Sequence, residues 1–237
     1  MPTANMIDLS HWNTVESLIP AAAAGIKGVI HKATEGEGAI DEKVAARFWL
    51  AQEAGLMWGL YHFLRPGDMS DQIGNFLEAS QAAGVLDDDT LLACDFEVAD
   101  IGLDEVCDFL ERLAEESERS PVLYSGSFLK DALGGKPASP DLTKYRLWIP
   151  HYGVPAPTLP PGYDDYWAWQ YSDQGDTPGV GSPVDLNDCK TFDNWPGRAE
   201  PPIFVPARPV RIAAHVPPSS GVVVLINGEI VYQRGAQ

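Results

Sequence analysis

The 237 residues are 45% hydrophobic and 21% charged, with 22 Gly and 20 Pro. That suits one large folded core with a small appendage and excludes a disordered or fibrous chain. Against 16 Lys and Arg stand 34 acidic residues, a formal charge of −18; such a surface repels phosphate backbones, and no basic run provides a local exception for nucleic acid.

The opening Met1-Pro2-Thr3-Ala4-Asn5-Met6-Ile7-Asp8 enters a strand pattern directly. It has neither a positive n-region nor an apolar h-region, so no secretory signal is expected. No apolar stretch is long enough to span a bilayer, so no stable membrane insertion is expected. Short apolar runs then alternate with amphipathic segments. Strands are predicted at 6–9, 28–31, 58–63, 90–97 and 121–125, and helices near 15–24, 42–54, 70–83 and 103–117. The last helix has Val106, Phe109, Leu110 and Leu113 at helical spacing, with acids and Arg112 opposite. This alternation predicts a parallel sheet with crossover helices.

The second half changes character. Strand patterns at 145–149, 166–171 and 184–186 are separated by loops rich in proline, through which no helix can run. Five β/α units followed by three strands predict an α/β fold, an irregular TIM-like (β/α)5(β)3 barrel with a thin, helix-poor side. The barrel domain is expected over 1–198. Residues 196–218 hold seven prolines and read as a linker. Asn227-Gly228 between two β-rich runs signals a hairpin, so 199–237 is expected to be a Pro-rich linker plus hairpin tail. Over 201–237 the formal balance is +2, from Arg208, Arg211 and Arg234 against Glu229. The tail is thus suited either to docking on an acidic barrel or to contact with an anionic cell wall.

Cys94, Cys107 and Cys189 are odd in number and lack zinc-site spacing, so they read as free thiols. The chemistry lies elsewhere. In Asp95-Phe96-Glu97 the two acids are two apart on a strand and project from one face, at the C-terminal end of the fourth strand, where barrel enzymes place their sites. Two carboxylates so close resist ionising together, and a carboxyl that keeps its proton can protonate a glycosidic oxygen. Taken alone, the pair reads equally well as two solvent-exposed acids at a strand end. Asp8 on the first strand and Asp185 on the last would join it if the barrel closes. The aromatics Tyr61, Phe63, Tyr124, Trp148, Trp167, Trp169 and Tyr171 are divided between core filling and sugar stacking. Alternation places Trp167, Trp169 and Tyr171 on one face. No histidine pair is arranged for zinc and no Gly-x-Ser-x-Gly elbow appears.

The ordered motifs Ile7-Asp8-Leu9-Ser10, Lys32-Ala33-Thr34-Glu35-Gly36, Gly59-Leu60-Tyr61-His62-Phe63 and Asp95-Phe96-Glu97 resemble those of glycoside hydrolase family 25. So do Leu123-Tyr124-Ser125, Leu147-Trp148-Ile149, Trp169-Gln170-Tyr171 and Val184-Asp185-Leu186-Asn187. These are lysozymes (N-acetylmuramidases) of bacteria, fungi and phage endolysins, and the resemblance covers roughly residues 5–195. It implies the same irregular barrel. It also implies hydrolysis of the β-1,4 bond between N-acetylmuramic acid and N-acetylglucosamine, with peptidoglycan glycan strands as partner and no cofactor or metal. Glu97 is implied as general acid/base and Asp95 as the group that steers the substrate's acetamide. Asp8, Asp185, Tyr61 and Tyr124, with Lys32, Trp148, Trp169 and Gln170 from the same motifs, make up the expected substrate-binding set. Retention assisted by the substrate's own acetamido group is implied, with direct inversion as the alternative. A chain made in the cytoplasm without a signal would reach the wall by a holin-type route. Two other functions stay open: a catalytically inactive glycan-binding or virion structural protein, and a metal hydrolase using the four carboxylates.

Overall fold

Strand and helix alternate along the first two thirds of the chain, and two kinds of apolar surface build the core. β1 (Met6–Leu9) leads to α1 (Ile19–Ala23), then β2 (Gly28–Glu35), β3 (Ala39–Ile40) and α2 (Val44–Glu53). β4 (Met57–Phe63), α3 (Met69–Ala82), β5 (Leu91–Asp95) and α4 (Leu103–Ser117) follow. β6 (Val122–Tyr124), α5 (Ser127–Leu133), α6 (Pro140–Thr143), β7 (Arg146–Pro150), β8 (Ala168–Thr177) and β9 (Val180–Cys189) complete the unit. This computed structural model describes residues 2–197 and, further on, β10 (Val222–Ile226) and β11 (Glu229–Arg234).

Eight strands close a ring in the order β1-β2-β4-β5-β6-β7-β8-β9, and β9 returns to β1. All neighbours are parallel except β9, which is antiparallel to both β8 and β1. The five β/α units followed by three strands are therefore present as the sequence implies. β3 is a side strand, antiparallel to β2 and outside the ring. The seam closes with Asp8 directly opposite Asp185 and Met6 opposite Asn187. Helix α3 starts where the Asp68 carboxylate accepts the Ser70 and Asp71 amides at 2.8 and 3.2 Å, which satisfies donors a helix start leaves free.

Alternation sorts the side chains. Outward residues such as Val29, Leu60, Leu92 and Leu123 pack under the helices with Phe76, Phe109 and Leu113. Inward residues Met6, Ile30, Leu91 and Val122 fill the lower barrel. Its N-terminal mouth is closed by Trp195, whose Nε1 donates to the Trp58 carbonyl at 2.7 Å and whose ring stacks on Phe192. Gly28 makes room for that plug: a Cβ there would lie 2.8 Å from the Trp195 ring. The chain thus turns back under the barrel before the proline-rich region begins.

Three features depart from the expected elements. β8 and β9 run on to form a long hairpin, where the sequence predicts a loop between the strand patterns at 166–171 and 184–186. Its register shifts three times, and at Gly175 a Cβ would meet Leu186 at 2.2 Å. β2 carries a bulge between Lys32 and Thr34, which turns Thr34 outward to the His62 ring (2.7 Å) while Lys32 keeps its inward aim. Trp167, Trp169 and Tyr171 do not share a face. Trp167 precedes β8 and packs beside Trp195 inside the barrel, whereas Trp169 meets Tyr171 on the outside. Contacts divide the chain into Met1–Ala199 and Glu200–Gln237. In the second unit β10 and β11 pair antiparallel, with an irregularity between Val224 and Leu225. The expected turn at Asn227-Gly228 and, from residue 198 on, the linker expected at 196–218 lie outside the described residues.

Candidate active site

The C-terminal ends of the parallel strands open into a cleft, and inward positions on all eight strands of the ring place side chains there. Asp8 comes from β1, Lys32 from β2, Tyr61 and Phe63 from β4, and Asp95 from β5. Tyr124 comes from β6, Trp148 from β7, Gln170 from β8 and Asp185 from β9. β5 ends at Asp95, but the Phe96 amide still donates to the Tyr124 carbonyl (2.9 Å), so the chain stays extended and Glu97 reaches the same cleft.

One wall is a hydrogen-bonded chain. Tyr124 and Tyr152 donate their hydroxyls to Gln170 Oε1, the former at 2.7 Å. Gln170 Nε2 donates to Asp8 Oδ2 at 2.9 Å. Asn187 Nδ2 donates to the same oxygen at 2.8 Å, while its Oδ1 accepts the Trp148 indole at 2.7 Å. The Trp148 ring stands edge-on to Tyr124, with centroids 4.5 Å apart. The opposite wall is ionic: Glu35 pairs with both Lys32 and Arg65, and both cations lie over the Phe63 ring. Asp95 lies between the walls, almost fully buried, and its Oδ1 has no hydrogen-bond partner. Among the described residues, no three His, Cys, Asp or Glu are grouped to hold a metal ion.

Residues 7–180 match the family model described as glycosyl hydrolases family 25. The chain belongs to glycosyl hydrolases family 25. It is 29% identical over 194 residues to "Lysozyme M1" of Streptomyces globisporus, matching 76% of this chain and 66% of that relative's length. Among solved structures, it is similar to a bacterial lysozyme from Streptomyces coelicolor: 28% identity, TM-score 0.67, covering 78% of this chain and 91% of that one. A muramidase from Acremonium alcalophilum gives 26% identity and a TM-score of 0.66, covering 78% and 92%.

In this family 25 glycoside hydrolase, burial governs the acidity of the cleft. Desolvation first, then the charges of Glu97 and Asp8, push the Asp95 carboxyl far above the usual range. Glu97 is raised by burial and then by Asp185. Asp185 is pushed up to about 8, by burial and then by the charge and hydrogen bond of Asp8. Burial also raises Asp8, against the lowering effect of the bonds from Asn187, Gln170 and Asp185. Carboxyls that keep their protons near neutrality are the groups that acid catalysis at a glycosidic bond needs.

The structure brings together Asp8, Lys32, Tyr61, Asp95, Glu97, Tyr124, Trp148, Gln170 and Asp185. It does not bring Trp169. That ring packs in the outer layer and donates its Nε1 to the His151 carbonyl at 2.7 Å. The reason is strand alternation: Gln170 faces inward, so its neighbour must face out. Sequence reasoning missed Tyr152, Asn187 and Glu35 as contributors to the cleft. Asn187 was legible, two residues after Asp185 on the same strand face. Tyr152 lies just past β7 in a loop without regular structure, and only the folded chain shows where it points.

Proposed function

We propose that this family 25 hydrolase is a muramidase that cleaves the β-1,4 bond between N-acetylmuramic acid and N-acetylglucosamine in peptidoglycan. The observation that carries the reading is the cleft at the C-terminal barrel mouth, where Glu97 meets Asp95, whose Oδ1 lacks a hydrogen-bond partner, beside aromatic side chains. The names of the relatives, a lysozyme and a muramidase, support the same substrate. Glu97 is the general acid/base: the more open of the pair, its raised carboxyl protonates the leaving oxygen and then activates water. Asp95 Oδ1 is a buried acceptor without a donor, and the N–H of a substrate acetamide is the group that would satisfy it.

That arrangement favours retention with the substrate's own acetamide oxygen as nucleophile. Asp95 holds the acetamide nitrogen through its Oδ1 and so aims the acetamide oxygen at the anomeric carbon. Tyr61, Tyr124 and Trp148 offer ring faces to the sugars, and Lys32, Gln170, Asp8 and Asp185 complete the polar lining. The site of action is the bacterial wall, reached by a release route of the holin type, as for a phage endolysin. Residues 1–198 are the catalytic domain, and the 199–237 tail serves docking or wall contact.

Digested peptidoglycan tests both levels. Muramic acid at the new reducing ends is the expected product, and glucosamine ends would refute the bond assignment. NMR of fresh product reads the stereochemistry: a β-anomer formed first supports retention, an α-anomer means direct inversion.

A further inference from the structure

Trp148 decides more than the shape of one wall. Its indole Nε1 can only donate, so the Asn187 atom 2.7 Å away is the amide oxygen, and Nδ2 is left facing Asp8 Oδ2. Gln170 is oriented alike, because the Tyr124 and Tyr152 hydroxyls occupy its Oε1 and its Nε2 faces the same Asp8 oxygen. Turning either amide over would set acceptor against acceptor. Each N–H on Asp8 favours its ionised form. Among the described residues no amide donates to Asp185, which hydrogen-bonds Asp8 across the β1–β9 seam.

We propose that Asp8 and Asp185 hold one proton between them, with Asp8 the anion and Asp185 the acid, and that the reaction requires the neutral form of Asp185. This deepens the muramidase reading and rests on it. The surroundings supply the reason. Asp185 is faced by Asp8 from β1, Asp173 from β8, Glu97 beyond β5 and the neutral Tyr152 after β7. Lys32, the cation lining this cleft, is engaged by Glu35. A second full charge at Asp185 would repel Asp8 across the seam and add to the field that raises Glu97. Held as an acid, Asp185 cannot be the base of an inverting reaction; it acts as a positioning residue for Asp8.

The sign follows from a raised group: Asp185 keeps its proton at neutrality and loses it as pH rises through about 8, so activity falls on the alkaline side. Asp185→Asn supplies an N–H to Asp8 at every pH. It should lower kcat/KM by no more than about tenfold near pH 6 and move the alkaline limb up by about one unit or more. Asp8→Asn, which removes the anion, should cost on the order of a hundredfold or more. Equal losses, a larger loss in Asp185→Asn, or an unmoved alkaline limb would overturn the proposal. A 13C-carboxyl NMR titration of the wild-type chain needs neither variant nor activity. An Asp185 resonance titrating below about pH 5 sinks the shared proton, whereas a wild type that titrates as expected yet cleaves no peptidoglycan sinks only the muramidase reading.

Discussion

The two ends of the barrel interior are built from the same strands, two residues apart, and they do opposite things. Met6, Ile30, Ala93, Val122 and Ala168 lie in the lower layer. Two positions on along the same strand faces come Asp8, Lys32, Asp95, Tyr124 and Gln170, which line the cleft. The lower layer removes apolar surface from water and leaves no polar atom to satisfy. The upper layer keeps carboxyls in a desolvated place where burial works against their charge. One strand thus carries a stabilising residue and a strained functional one a single pleat repeat apart. The lower layer bears the cost of the upper, a division expected where activity needs groups that folding alone would not select.

Mutations at the two ends should therefore separate activity from stability. The largest effect belongs to Glu97→Gln: kcat is expected to fall by about 10²–10⁴, while the melting temperature holds or rises because a partly buried carboxyl is gone. A large drop in melting temperature would make the upper layer structural and erase the contrast. Next comes Trp195→Ala at the opposite mouth, expected to cost about 3–5 kcal/mol in urea unfolding with turnover per folded molecule retained. Gly28→Ala, which presses a methyl group into that ring, should cost a milder ~1–3 kcal/mol. Activity lost in proportion to neither would mean that the plug communicates with the cleft. The smallest effect is expected from Tyr152→Phe, which removes one of two hydroxyls on Gln170. The loss should be about 0.5–1.5 kcal/mol of transition-state stabilisation, roughly two- to twelvefold in kcat/KM, and a larger loss would give Tyr152 a direct role on substrate.

The legible part of this molecule was local or periodic. Alternation placed Asp95 and Glu97 on one face, and the count of five β/α units and three strands was enough to set the first strand beside the last. The seam between Asp8 and Asp185 followed from closure. Trp169 shows the limit of pattern reading: it lies in a motif with Gln170, but only one of two neighbours on a strand can face inward. The bulge in β2 and the three register shifts between β8 and β9 have no period to announce them, because each answers to the partner strand across the ladder. Trp195 directly precedes the stretch 196–218 that reads as a linker, and nothing in a chain of local patterns shows that a residue 137 positions away from Trp58 will bond its carbonyl.

What the sequence by itself determined is which residues alternate with which, and therefore which acids could share a face; that is a property of backbone geometry and needs no partner. What only the tertiary structure decided is where protons sit. The indole of Trp148 orients Asn187, and Asn187 with Gln170 orients the charge on Asp8. Those four side chains come from four different strands. Hydrogen-bond polarity passes between them only after the barrel has closed and water has left the space between them.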